Sequence, residues 1–116
     1  MKNGPLFAKS RDFAVRIIKF YKFLCEDKKE FTLAKQILRS GTSVGANVRE
    51  SKNAQSSADF VSKLSIALKE ADETQYWLEL FFAAEIITES QFQTLNADVR
   101  ELIAMLTASI KTAKSK

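Results

Sequence analysis

From Ala46 to Lys116 the sequence contains neither glycine nor proline. A stretch that lacks both the residue tolerant of left-handed turns and the residue that breaks a helical ladder has little option but helix, interrupted by short polar links. The other punctuation is confined to Gly4 and Pro5 near the start and to Gly41 and Gly45 in "SGTSVGANVRES", residues 40–51. The spacing of apolar residues divides this chain into four helices, at about residues 10–27, 32–53, 57–87 and 89–113, within one domain covering residues 1–116. Ser10 is the expected cap of the first, whose positions Phe13, Ile17, Phe20 and Leu24 follow a 4-3-4 spacing, and "CEDKKE" ends it. "NAQSSADF" is a polar junction in which Ser56 or Ser57 caps the third helix with Asp59 in its first turn. Thr88 and Gln91 form a capping box ahead of Phe92, Leu95, Val99, Leu102 and Leu106. Four long helices with short joints predict an all-α, antiparallel up-down-up-down four-helix bundle.

The two central glycines then need a reason, because each costs a helix about 1 kcal/mol relative to alanine. Ala34, Ile37, Gly41, Val44 and Val48 fall on one side of the second helix, with Gly45 beside them. The apolar period runs straight through the glycines, so they predict close packing of a neighbouring helix rather than a helix end.

The third helix has more apolar surface than a lone bundle can bury. Val61, Leu64, Leu68, Ala71, Leu78 and Phe82 make a core stripe with Phe60 and Ala67 beside it, whereas Ile66, Trp77, Leu80, Phe81 and Ala84 gather on another side. A second apolar face containing Trp and Phe predicts an interface between copies of the chain. Glu70 and Glu73 lie in that face. With no histidine in the sequence they cannot build the Glu-x-x-His sets of di-iron bundles, and the single Cys25, at helical spacing from Ile18 and Tyr21, reads as a core filler. No metal, cofactor or catalytic residue is therefore expected, and the two carboxylates are expected to meet Arg39 or Arg49. Arg39, Ser43, Asn47 and Glu50 form a polar stripe on the second helix, away from the glycines, which belongs to the same expected interface.

The net charge of +4 is unevenly placed: residues 1–52 carry +7 and residues 53–116 carry −3. On the first helix Lys9, Arg16, Lys19 and Lys22 spread over the polar side, and Lys111, Lys114 and Lys116 close the chain. Such a distribution suits the phosphate backbone of RNA or DNA, although solvent-facing lysines also serve solubility. No RNA-binding aromatic motif or helix-turn-helix is visible, so any such contact is expected to be directed at the backbone. No uncharged run is long enough to span a bilayer and the first residues lack the apolar centre of a signal peptide, which predicts a cytoplasmic protein with no membrane partner.

The stretch "SGTSVGANVRESKNAQSSADFVSKLSIALKEADETQYWLEL", residues 40–80, resembles the four-helix-bundle family of proteins encoded by intervening sequences in bacterial 23S ribosomal RNA genes. "GTSVGANVRE" and "LSIALKEADETQYWLEL" carry the resemblance. Arg49, Glu50 and Ser51 stand where many relatives read Ala-Glu-Gly, which suggests a distinct subgroup. The resemblance implies a non-enzymatic pentameric ring and kinship to the accessory variability determinant of diversity-generating retroelements, a basic pentamer that binds RNA and reverse transcriptase. The family name records a gene location, not membership of the ribosome. Two functions follow as expectations: a nucleic-acid-binding homo-oligomer, or a protein–protein scaffold with no nucleic-acid partner.

Overall fold

Local capping chemistry sets where the last three helices start in the computed structural model, which describes residues 4–115. The helices are α1 (Gly4–Glu26), α2 (Thr32–Ser51), α3 (Ser57–Ala83) and α4 (Glu89–Lys114), and no strand occurs among the described residues. Ser56 caps α3 by accepting from the Asp59 amide at 3.0 Å, while the Asp59 carboxylate accepts from the Gln55 amide. Thr88 and Gln91 complete a reciprocal capping box on α4. For α2 the carboxylate of Glu30 accepts from the Leu33 amide at 3.1 Å, because Phe31 at the cap position has no side-chain acceptor.

Two boundaries differ from expectation by more than two residues. α1 starts at Gly4, with Pro5 in the first turn where its missing N–H is not needed. Ser10 is accordingly no cap: it is buried in mid-helix, its hydroxyl donating to the Phe7 carbonyl at 3.2 Å. Leu6 explains the difference, since it extends the buried stripe of Phe13, Ile17, Phe20 and Leu24 by two further turns through Ser10. α3 stops at Ala83, short of residue 87. Glu85 adopts φ 62°, and the amides of Glu85 and Ile86 bond back to the carbonyls of Phe82 and Phe81. That is a Schellman closure made without glycine, so the sequence lacked its usual marker.

Residue pairs across the seams fix the topology. Ile17 meets Gly41 and Ser10 meets Gly45, so α1 and α2 run antiparallel. Gln75 donates to Asn96 and Phe82 stacks on Phe92, so α3 and α4 do as well. Lys9 pairs with Glu101 and Arg16 with Asp98, giving the same sense for α1 and α4, which are the least closely packed neighbours. The four-helix bundle is therefore up-down-up-down, 46 × 20 × 19 Å in extent.

The core stripe of α3 runs through Leu64, Ala67, Ala71, Thr74, Leu78 and Phe81. Thr74 is fully buried, its hydroxyl bonded to Ser40 Oγ of α2 at 2.9 Å and to the Glu70 carbonyl. An expectation built on hydrophobicity passes over Thr74 and places Leu68 and Phe82 in the stripe where Ala67 and Phe81 lie. Phe81 lies in the core, edge-on to Phe20 at 6.0 Å, and Phe82 is 37% exposed. Val61 and Leu68 are only half-buried.

Candidate interaction surfaces

The seam between α1 and α2 is built around the glycines. Both lie inside α2 and neither has positive φ, so absence of a side chain is what matters at these positions. A Cβ on Gly41 would stand 2.8 Å from both Cγ atoms of Ile17, and one on Gly45 would stand 3.1 Å from the backbone oxygen of Ser10. Gly41 therefore admits a side chain of α1 and Gly45 admits its backbone.

On the α1–α4 side, the structure uses two of the four expected phosphate-binding cations for another purpose. Lys9 Nζ lies 2.9 Å from Glu101, and Arg16 forms a close ion pair with Asp98. The hydrogen bond that Lys9 donates to Glu101, and then the charge of that carboxylate, hold the Lys9 ammonium above its ordinary pKa. Lys19 and Lys22 are exposed and have no ion pair among the described residues. Lys111 and Lys114 occupy the last turn of α4, where they complement the helix dipole, and Lys116 lies outside the described residues.

On the α2–α3 side a single arginine holds both carboxylates. Arg39 Nη1 lies 2.9 Å from Glu70 and its Nη2 binds Glu73. The indole of Trp77 donates to the same Glu73 carboxylate at 3.1 Å. Glu73 is held below its ordinary pKa by the Trp77 hydrogen bond and by Arg39, and Arg39 is raised by Glu70 and Glu73. Ser43 donates to the Arg39 carbonyl and Asn47 to the Ser43 carbonyl, so both side chains bond along their own helix, and Glu50 is exposed. Of the apolar residues assigned to this face, Ile66 is 41% exposed, Trp77 and Leu80 are half-buried, and Phe81 is corrected to the core. Arg49 does not reach the carboxylates. It lies with Arg11 and Lys52 around a groove along the α1–α2 seam, a grouping that α1 alone could not reveal.

Among the described residues no cluster of His, Cys, Asp and Glu is arranged to hold a metal ion, and no helix is long and apolar enough to cross a membrane. Residues 3–108 match the model of the 23S rRNA-intervening sequence protein family. The chain belongs to this family. A crystal structure of a protein of unknown function from the S23 ribosomal protein family of Bacteroides thetaiotaomicron VPI-5482 is 55% identical, with a TM-score of 0.94 over 96% of this chain and 99% of that one. Among curated proteins, none matches the chain. In this member of the family the stretch at residues 40–80 holds two seams together: its glycines admit α1, and Ser40 bonds Thr74 between α2 and α3.

Proposed function

We propose that this family member is a non-enzymatic homo-oligomer, a pentamer, that binds the backbone of RNA or DNA through the basic surface of α1 and α2. The observation that carries the reading is where the free cations lie. Lys19, Lys22 and Arg49 are exposed without ion pairs among the described residues, all on the first two helices, and α1 and α2 together carry eight Lys/Arg against three Asp/Glu, whereas α3 and α4 carry five against eight. A one-sided field of this kind attracts phosphates and releases their counterions. Five copies at +4 each carry about +20, so assembly multiplies a field that is modest in one subunit. Ile66, Trp77 and Leu80 supply the surface for that assembly, and the pentameric state is what the family resemblance implies.

A protein-binding scaffold is the second reading, with a reverse transcriptase as the partner that kinship suggests. It is favoured by the exposure of Val15 and Ile18 on the outer side of α1, at 40% and 43%. Binding of labelled RNA and DNA to the purified protein across a salt series, with light scattering on the same samples, separates the two. Affinity falling steeply with salt in a pentameric sample supports the first. A chain that binds neither nucleic acid at low salt leaves the scaffold.

A further inference from the structure

Beside Gly45 the α1–α2 seam opens into a groove of about 430 Å³. It exists because Gly45, Ala14 and Ala46 leave space where longer side chains would close the seam over the Ser10 backbone. Its lining includes three cations, Arg11 from α1 and Arg49 and Lys52 from α2, and no carboxylate. Arg11 has only a 3.5 Å contact with its exposed neighbour Asp12. Arg49 has neither an ion pair nor a side-chain hydrogen bond among the described residues. The Lys52 ammonium stands 5.1 Å above the ring of Phe7, which forms one apolar wall.

We propose that this groove seats a single strand of nucleic acid, with phosphate held by Arg11, Arg49 and Lys52 and a base against the apolar wall at Phe7. The proposal rests on the nucleic-acid reading above and moves the principal contact from the outer face of α1 to the α1–α2 seam. Charge complementarity names the occupant. Two guanidinium forks and an ammonium offer donors in the geometry phosphate accepts, and none is bound to a buried acid. Size restricts the form of the strand. Pockets of about 300–1,000 Å³ take small ligands, so this groove holds about one nucleotide, and a duplex would ride over its rim without entering. An aromatic wall beside cations is how single strands are held without sequence preference.

The test is fluorescence anisotropy of the full chain with a labelled 12-nucleotide oligouridine and with a duplex of equal length, over a range of salt. Replacing Arg49→Gln together with Lys52→Gln is expected to weaken oligouridine binding by about tenfold or more near 0.1 M salt and to flatten the salt dependence by about one to one and a half in log–log slope. Ala46→Phe, which fills the groove from an exposed position and leaves the charge unchanged, is expected to weaken it about as much. Lys28→Gln with Lys29→Gln removes the same charge from the exposed turn between α1 and α2, at the far end of the seam from the groove, and is expected to change affinity by less than about threefold. Groove variants that bind like the wild type, a control pair that loses as much, or a duplex bound as tightly as the single strand would overturn the groove while the nucleic-acid reading stands. A wild type that binds no oligonucleotide at low salt overturns both.

Discussion

Gly41 shows what one missing methyl group is worth. Alanine there gains about 1 kcal/mol of helix propensity, yet its Cβ would press on two Cγ atoms of Ile17, which is fully buried and has nowhere to retreat. Overpacking of this kind costs about 1–3 kcal/mol, so Gly41→Ala is expected to lower stability in urea denaturation, and Gly45→Leu to lower it further against the α1 backbone. Combining Gly41→Ala with Ile17→Ala is expected to cost less than the sum of the two, because the second change removes the clash created by the first. Glu73 supports a prediction in pH. Its carboxyl is held below the ordinary value by Trp77 and Arg39, so the folded state favours the charged form. The resulting stability is present in full above the unfolded pKa of about 4.3 and is lost as pH falls through the lower folded value. Half-exposed pairs are screened, and this one contributes less than about 1 kcal/mol. The melting temperature of the wild type is expected to exceed that of Glu73→Gln at pH 7, with the gap closing towards pH 3. A gap that widened in acid would contradict the assignment.

At the scale of the helix, the end of α3 shows how a boundary forms without its usual residue. Glu85 sits at positive φ, where a side chain is strained and glycine is not. The closure still forms because Ile87, 5% exposed, is drawn into the core and the amides of Glu85 and Ile86 find carbonyls one turn back. Glu85→Gly is expected to raise stability by roughly 0.5–1 kcal/mol, since the relief of strain exceeds the added entropy of the unfolded chain. Thermal unfolding measures it, and an unchanged or lower midpoint would show that the left-handed turn is not strained.

For the whole molecule, the question is whether one subunit is complete. Its core is well filled and no buried side-chain polar atom among the described residues lacks a partner, so the subunit folds around a satisfied interior. What is left over is outside: Ile66, with Trp77 and Leu80 half-covered beside the Arg39 cluster. On the proposed pentamer, Ile66→Asp places a charge in the contact and is expected to give folded monomers by light scattering, with circular dichroism unchanged. The same variant is expected to lose most of its oligouridine affinity, because a strand that spans linked grooves gains from each neighbour in turn. A monomeric wild type, or a monomeric variant that binds as tightly as the oligomer, would remove assembly from the mechanism.

Helix number, the caps at Ser56 and Thr88 and the inward faces of α1, α2 and α4 were legible in the sequence, because capping and the 3.6-residue period act between residues within one or two turns. Gly41 and Gly45 were legible for the same reason, lying in an unbroken apolar period. The register of α3 was not: Thr74 reads as polar until Ser40 of another helix satisfies it, and Phe81, two turns further on, shares the buried face that Thr74 marks. Nor was the fate of the charges, since Lys9 and Arg16 are neutralised by acids more than eighty residues away in sequence. Arg11, Arg49 and Lys52 come together only because Gly45 lets two helices cross backbone-close, and a crossing depends on the rotation and depth of both helices, which neither encodes alone.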